Sequence, residues 1–231
     1  MLDIALHLLV YSTLIAAAII LHEVAHGYAA LALGDETALR AGRLTLNPLR
    51  HVDRVGTVIL PALLVLGQLL TIGRIGFMFG WAKPVPVDAM KFRAPRQMMA
   101  LVALAGPAMN FALAFLAAHL FRFASLPQPV ADSAMLFIQV NLLLGMFNLL
   151  PMPPLDGGRI MVGLLPPRLA LLWVRLEPIG LAAVMLLILA PTLLRQFGIA
   201  FDPLSAALDP AMSWGLHATL WLAGVRGNES V

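Results

Sequence analysis

Two histidines and a glutamate sit inside an apolar run, as His22-Glu23-Val24-Ala25-His26. Residues four apart on a helix lie one turn apart on the same face, so both imidazoles can reach one metal ion. Glu23, between them, is placed to take a proton from a water that such a metal makes acidic. Neutral imidazole suits zinc, and a catalytic zinc usually keeps three protein ligands plus a water. The alternative is a chance pair of histidines packed in a helix bundle. A Glu and two His within an apolar span are costly in lipid without a function, which favours a metal site holding one zinc per chain.

A third ligand is needed. The run Asn148-Leu149-Leu150-Pro151-Met152-Pro153-Pro154-Leu155-Asp156-Gly157-Gly158-Arg159 follows a later apolar stretch. Its three prolines prevent a continuous helix, so extended backbone is expected here. Irregular backbone at membrane depth is tolerated only where it is buried in protein or lines a watery cavity. Asp156 would then point inward as an oxygen ligand. Alternatively it N-caps a helix starting at Gly157, a role Asp fills well. Alone the two readings stand level; an incomplete HExxH site decides for the ligand.

The elements that must position these residues follow from composition. The chain has 231 residues, 61% hydrophobic and 12% charged, with mean hydropathy +0.90. An ordinary soluble domain carries about 25% charged residues. A soluble enzyme, a disordered tail and a nucleic-acid-binding module are thereby excluded. The net charge is only +3 despite a pI near 10.0, and there is no cysteine for disulfides or thiolate ligands. A membrane helix needs about 20 apolar residues. Four stretches meet this, 4–33, 98–121, 134–150 and 179–194, while 56–79 and 204–225 are interrupted by Pro, Gly or charged residues. The first is no signal peptide, because no Lys or Arg precedes Arg40. The expectation is an all-α polytopic membrane protein. It has about five transmembrane helices, a re-entrant segment and a short β-like strand near the active site. Residues 1–231 form one domain, with a catalytic core at about 4–165 and C-terminal helices at 176–225.

Charge selects the path of 56–79. If that stretch dips in and returns, Arg40, Arg43, Arg50, Arg54, Arg74, Lys83, Lys91, Arg93 and Arg96 share one face. Arg159, Arg168 and Arg175 join them, making 12 of the 15 basic residues. Arg122 and Arg195 fall opposite, and Arg226 depends on the C-terminal stretch. The positive-inside rule then sets an external N-terminus and a cytoplasmic basic face. His22 lies roughly 27 Å along the helix axis from Ile4, toward the cytoplasmic leaflet.

The His22-Glu23-x-x-His26 motif, Gly106-Pro107-x-x-Asn110 in a second apolar stretch, and the Asn148 to Gly158 run together resemble the site-2 protease family of intramembrane zinc metalloproteases. The resemblance covers about residues 21–159 and implies His22, His26 and Asp156 as zinc ligands and Glu23 as catalytic base. It also implies that Asn148 contacts substrate near the scissile bond, donating to the oxyanion or to substrate backbone. Gly80-Trp81-Ala82-Lys83-Pro84-Val85-Pro86-Val87 resembles the stretch before the GPxxN helix in small bacterial members. One departure is Arg54, where such members carry proline in an N-P-x-x-H-x-D-P-x-G motif; PDZ and CBS modules are also missing. The implied activity is hydrolysis of peptide bonds in or near transmembrane segments, in the bacterial plasma membrane. Its partners are the lipid bilayer and a single-span membrane protein substrate, with no nucleic acid.

Pro84 and Pro86 strip donors from one edge of an extended segment, while Val85 and Val87 keep theirs on the other. An unwound substrate could add as a strand along the Val85/Val87 edge. The alternative is an ordinary surface loop, and the two stand level. Gly106, Ala108 and Asn110 read as a close-packing face for the HExxH helix. His7, His51, His119 and His217 lack ligand spacing, and Met98 and Met99 are core or lipid-facing. Rival functions are a divalent-metal transporter, which leaves the placement of Glu23 unexplained, and a non-enzymatic scaffold.

Overall fold

The computed structural model describes residues 2–75, 78–122, 126–195 and 198–225. Arg226 and positions 76 and 77 of the 56–79 stretch lie outside them. Helix α1 (Leu2–Ala32) carries the HExxH motif and is followed by Gly34 at φ 101° and the short α2 (Thr37–Arg40). Asn47 accepts from the Leu49 N–H to cap a 3-10 turn at Pro48–Arg50. Asp53 Oδ1 accepts from the N–H groups of Val55 and Gly56, starting a π-helical stretch, Arg54–Ile59, that runs into α3 (Leu60–Ile72). Arg54 occupies the first helical position, where the N–H has no intrahelical partner; proline is favoured there but not required. The turn therefore survives the departure from the motif.

After α3 the chain returns to where it began. The Trp81 N–H donates to Gly56 O at 3.2 Å, the Lys83 N–H to His51 O at 2.8 Å, and Thr57 Oγ1 to Trp81 O at 2.8 Å. Gly56 has no Cβ because the Trp81 indole fills that space. The chain on either side of α3, at 51–57 and 81–83, is thus tied together.

No β-strand forms among the described residues, so the expected β-like strand is not present. The backbone at 80–88 runs without regular structure and pairs with loop and side-chain atoms instead. Its Pro84 and Pro86 supply no donors, and a ladder needs regular donors from both partners.

The remaining helices are α4 (Pro95–Ala118), α5 (Gln128–Asn148), α6 (Asp156–Leu164), α7 (Pro167–Arg175), α8 (Glu177–Arg195) and α9 (Pro203–Leu222). Among the described residues four helical stretches are long and apolar enough to cross a membrane: Ala5–Ala32, Arg54–Thr71, Pro95–Arg122 and Gln128–Asn148. A fifth exists if α7 and α8, bent by 61° at their junction, count as one span. The all-α polytopic reading therefore holds, with 179–194 extended backward through a bend.

Helix α4 is the hub, packing against α1, α5, α6 and α9. Its buried positions Ala103, Gly106, Pro107, Asn110, Ala114 and Ala118 recur every three or four residues along one face. Lipid tails are as apolar as Leu, so helices associate in a membrane through close packing, which small residues allow. Ala114 and Ala118 meet Ile138 and Leu142 of α5 in a fully apolar cluster. Toward the other end of α4 the contact turns polar, and the candidate site lies there.

Candidate metal centre

Helix α1 presents His22 and His26 to α4 at Gly106. A Cβ on Gly106 would lie 2.5 Å from His26 Nε2 and 2.6 Å from His22 Cε1, so only glycine lets the two helices meet over these rings. The rings stand at 89°, with centroids 4.6 Å apart. Both are buried, at 7% and 8% exposure.

Asp156 arrives from the opposite side as the first residue of α6, after a turn instead of the extended backbone expected. Met152 N donates to Leu150 O and Leu155 N to Met152 O. Proline bars a helix here but suits tight turns. The two glycines after Asp156 let this turn tuck under α6. A Cβ on Gly158 would lie 2.7 Å from Pro153 N, and one on Gly157 would strike the Leu149 and Leu150 carbonyls. The far end of α6 is tied to α4 by Arg96, whose guanidinium donates to Val162 O and Leu165 O. The Asp156 side chain caps nothing: Leu155 is the N-cap residue, with no side-chain bond.

The carboxylate goes to the histidines. Asp156 Oδ2 lies 3.1 Å from His22 Nε2 and 3.2 Å from His26 Nε2, and the two Nε2 atoms are 3.0 Å apart. His26 Nδ1 faces Val102 O at 2.7 Å. A carbonyl only accepts, so that nitrogen carries the proton, and neutral imidazole leaves a lone pair at Nε2. Asp156 Oδ2 is buried with no hydrogen-bond partner. Lone pairs that converge in a buried space repel unless a cation lies among them. Ligands 2.0–2.1 Å from a tetrahedral zinc stand about 3.3 Å apart, within a few tenths of the spacings found. The three residues fit zinc.

Glu23 is held from a third direction: the Val85 N–H donates to its Oε2 at 3.0 Å. Segment 81–91 is itself strapped down. Arg43 donates to Lys83 O at 2.7 Å, and the Asp88 N–H donates to Asp35 Oδ2 at 2.7 Å. Asp35, fully buried, also accepts from the Thr37 N–H and hydroxyl and from Lys91 Nζ. Burial alone would raise its pKa, but the Thr37 hydroxyl, the Asp88 and Thr37 N–H groups and Lys91 outweigh it and hold the pKa at about 2.

The structure thus brings together His22, His26 and Asp156, the only group of three such ligand side chains found among the described residues. Asn148 ends α5 with its amide nitrogen donating to Leu144 O of its own helix. Val85 touches the site through its N–H, the donor that strand addition would have used. Val87 packs with Ala30, Phe92 and Val102. His51 donates to or accepts from no ligand residue; its Nε2 lies 2.8 Å from Thr45 O.

Reading Asn110 as a packing residue fell short. It is fully buried, its Oδ1 lies 2.6 Å from His22 Nδ1, and its Nδ2 donates to Asn141 Oδ1 at 2.9 Å. Asn141 belongs to none of the sequence motifs. The available signal was an amide in the middle of an apolar span, which is expensive in lipid and therefore points to function.

Residues 125–191 match peptidase family M50. The chain is 36% identical over 208 residues to "Putative zinc metalloprotease YwhC" of Bacillus subtilis, covering 80% of this chain and 89% of that protein. It is 34% identical over 181 residues to "Putative zinc metalloprotease Rip2" of Mycolicibacterium smegmatis, covering 77% of this chain and 65% of the relative. The protein of the same name from Mycobacterium tuberculosis H37Rv is 33% identical over 179 residues, with 75% and 64% covered. No solved structure matches significantly. A buried His-His-Asp group beside a glutamate, set among membrane-length helices and carried by such relatives, has one consistent source: the chain belongs to peptidase family M50, the site-2 protease family of membrane zinc metalloproteases.

Proposed function

We propose that this protein hydrolyses peptide bonds in or near the transmembrane segment of a single-span membrane protein, as a step of regulated intramembrane proteolysis. The observation that carries the reading is the convergence of His22 Nε2, His26 Nε2 and Asp156 Oδ2, with Glu23 one residue along the same helix. Zinc held by these three side chains supplies Lewis-acid chemistry, polarising a carbonyl and making a water acidic. Glu23 takes the proton from the attacking water and returns it to the leaving amine. The Val85 N–H fixes one Glu23 oxygen and leaves the other for this task. Asn148, at the end of α5, donates to the substrate backbone or to the developing oxyanion.

The chain is read as one protease domain in the bacterial plasma membrane, with its N-terminus outside. The bonds between 51–57 and 81–83 support a segment that dips in and returns, which puts 12 of the 15 basic residues on the cytoplasmic side. The site then lies toward the cytoplasmic leaflet, where water is at hand for hydrolysis. The Val85/Val87 edge is the proposed docking line for an unwound substrate: the Val85 N–H holds Glu23 in the resting site and passes to the substrate backbone on docking.

The test is cleavage of a model single-span substrate in proteoliposomes by wild type and Glu23→Gln, with zinc content measured in parallel. Glu23→Gln should keep zinc and lose activity by roughly 100-fold or more. Unchanged cleavage refutes the proposed base. Zinc passage into the vesicles without cleavage by the wild type would favour transport.

A further inference from the structure

Asn110 and Asn141 are each 0% exposed, in the interiors of α4 and α5. A buried amide costs free energy unless its polar atoms are bonded. The bonds of these two form one directed chain, and its direction can be read from the far end. Asn141 Nδ2 lies 2.8 Å from Phe137 O. A backbone carbonyl only accepts, so the nitrogen of Asn141 must point there and its Oδ1 must face Asn110. Asn110 then presents Nδ2, at 2.9 Å, and the same nitrogen lies 3.4 Å from Ala18 O, another pure acceptor. Asn110 Oδ1 is left facing His22 Nδ1 at 2.6 Å, and an amide oxygen in that place requires a proton on the ring nitrogen.

We infer that Asn110 and Asn141 are positioning residues that lock His22 as its Nδ1–H tautomer, turning the Nε2 lone pair toward Asp156 and His26. The inference rests on the zinc reading above. His26 obtains the same tautomer from a single backbone carbonyl, Val102 O. His22, one turn earlier on α1, meets α4 about two turns further along, and there the Asn110 side chain supplies the acceptor. A neutral amide does so without placing a second buried negative charge beside Asp156. Asn141, two bonds from the ring, acts by preventing Asn110 from flipping and offering a donor instead. Partners of this kind fix ring orientation and ligand basicity in metal sites generally.

The test uses the full chain purified in detergent, with zinc affinity read by competition against a chromogenic chelator and the metal-free melting temperature measured alongside. Asn110→Leu removes the acceptor and should weaken zinc binding roughly 10- to 100-fold. Asn110→Asp keeps an acceptor for the ring N–H and should stay within about threefold of wild type, although its buried charge lowers the melting temperature at least as much. A packing role alone makes affinity and melting temperature fall together and does not separate these two variants. Should Asn110→Leu fail to fold, Asn141→Leu against Asn141→Asp makes the same comparison, since aspartate still accepts from Asn110. Wild-type affinity in the leucine variants, or equal loss in the leucine and aspartate variants, overturns the inference alone. A wild-type protein that takes up no zinc overturns the metal reading and the inference with it.

Discussion

Gly106→Ala is the sharpest perturbation of the centre, because it adds one methyl group where two ligand rings already sit. The new Cβ would lie 2.5 Å from His26 Nε2, about 0.9 Å short of the 3.4 Å at which ordinary contact begins. The conflict has two resolutions. If the imidazoles yield, they move by several times the roughly 0.2 Å tolerance of metal–ligand distances. If α4 retreats instead, the 2.7 Å Val102–His26 and 2.6 Å Asn110–His22 contacts open to about 3.5 Å, where hydrogen bonding fails. Either way zinc affinity should fall at least about tenfold, while overpacking costs about 1–3 kcal/mol and leaves the helices assembled. The assay is chelator competition on purified protein, with metal-free melting as the control for folding. Gly106→Ala with wild-type zinc affinity and wild-type cleavage would refute the reasoning, since the helix contact would not then be what sets the rings.

Two further outcomes follow from the strap over Glu23. Val85→Pro deletes the N–H that holds Glu23 Oε2, a bond to a charged group worth about 1.5–3 kcal/mol; cleavage should drop roughly 10- to 100-fold with zinc content unchanged, and full activity would sink the assignment. Asp35, whose pKa is lowered from 3.8 to about 2, contributes about 2 kcal/mol that is fully present above pH of about 4 and is lost as pH falls through about 2. The melting difference between wild type and Asp35→Asn should therefore shrink on acidification from pH 5 to pH 2, and a constant difference would count against the buried carboxylate.

Much of the site is legible along the chain, for local reasons. His22 and His26 share a face because helical periodicity sets it, and their setting in an apolar run makes a metal the economical explanation. Asp156 is reachable by chemical need, as the ligand an HExxH pair lacks. The helical elements follow from runs of about 20 apolar residues. The boundaries were less secure where proline and glycine fall. Pro61 sits at the start of α3, where it is harmless, and Gly73 ends that helix at φ 67°, so a stretch that reads as broken is a continuous helix with a stop. The prolines before Asp156 exclude a helix but do not choose between extended backbone and turn. Turn formation there depends on Gly157 and Gly158 accepting the 149–153 backbone at close range.

From its sequence alone, this protein is determined as a multi-span membrane chain with an HExxH metal motif, one candidate third ligand and a family resemblance that the relatives bear out. Periodicity and hydropathy are properties of neighbouring residues, and they reach no further than one element. Tertiary structure alone decided which distant groups complete the centre. Val85 reaches Glu23 across 62 residues, and Asn110 reaches His22 across 88. No local pattern encodes such pairings, because they arise from how α4 lies against α1 and α5. That packing turns an asparagine taken for filler into the partner of a ligand, and a donor reserved for substrate into the anchor of the base.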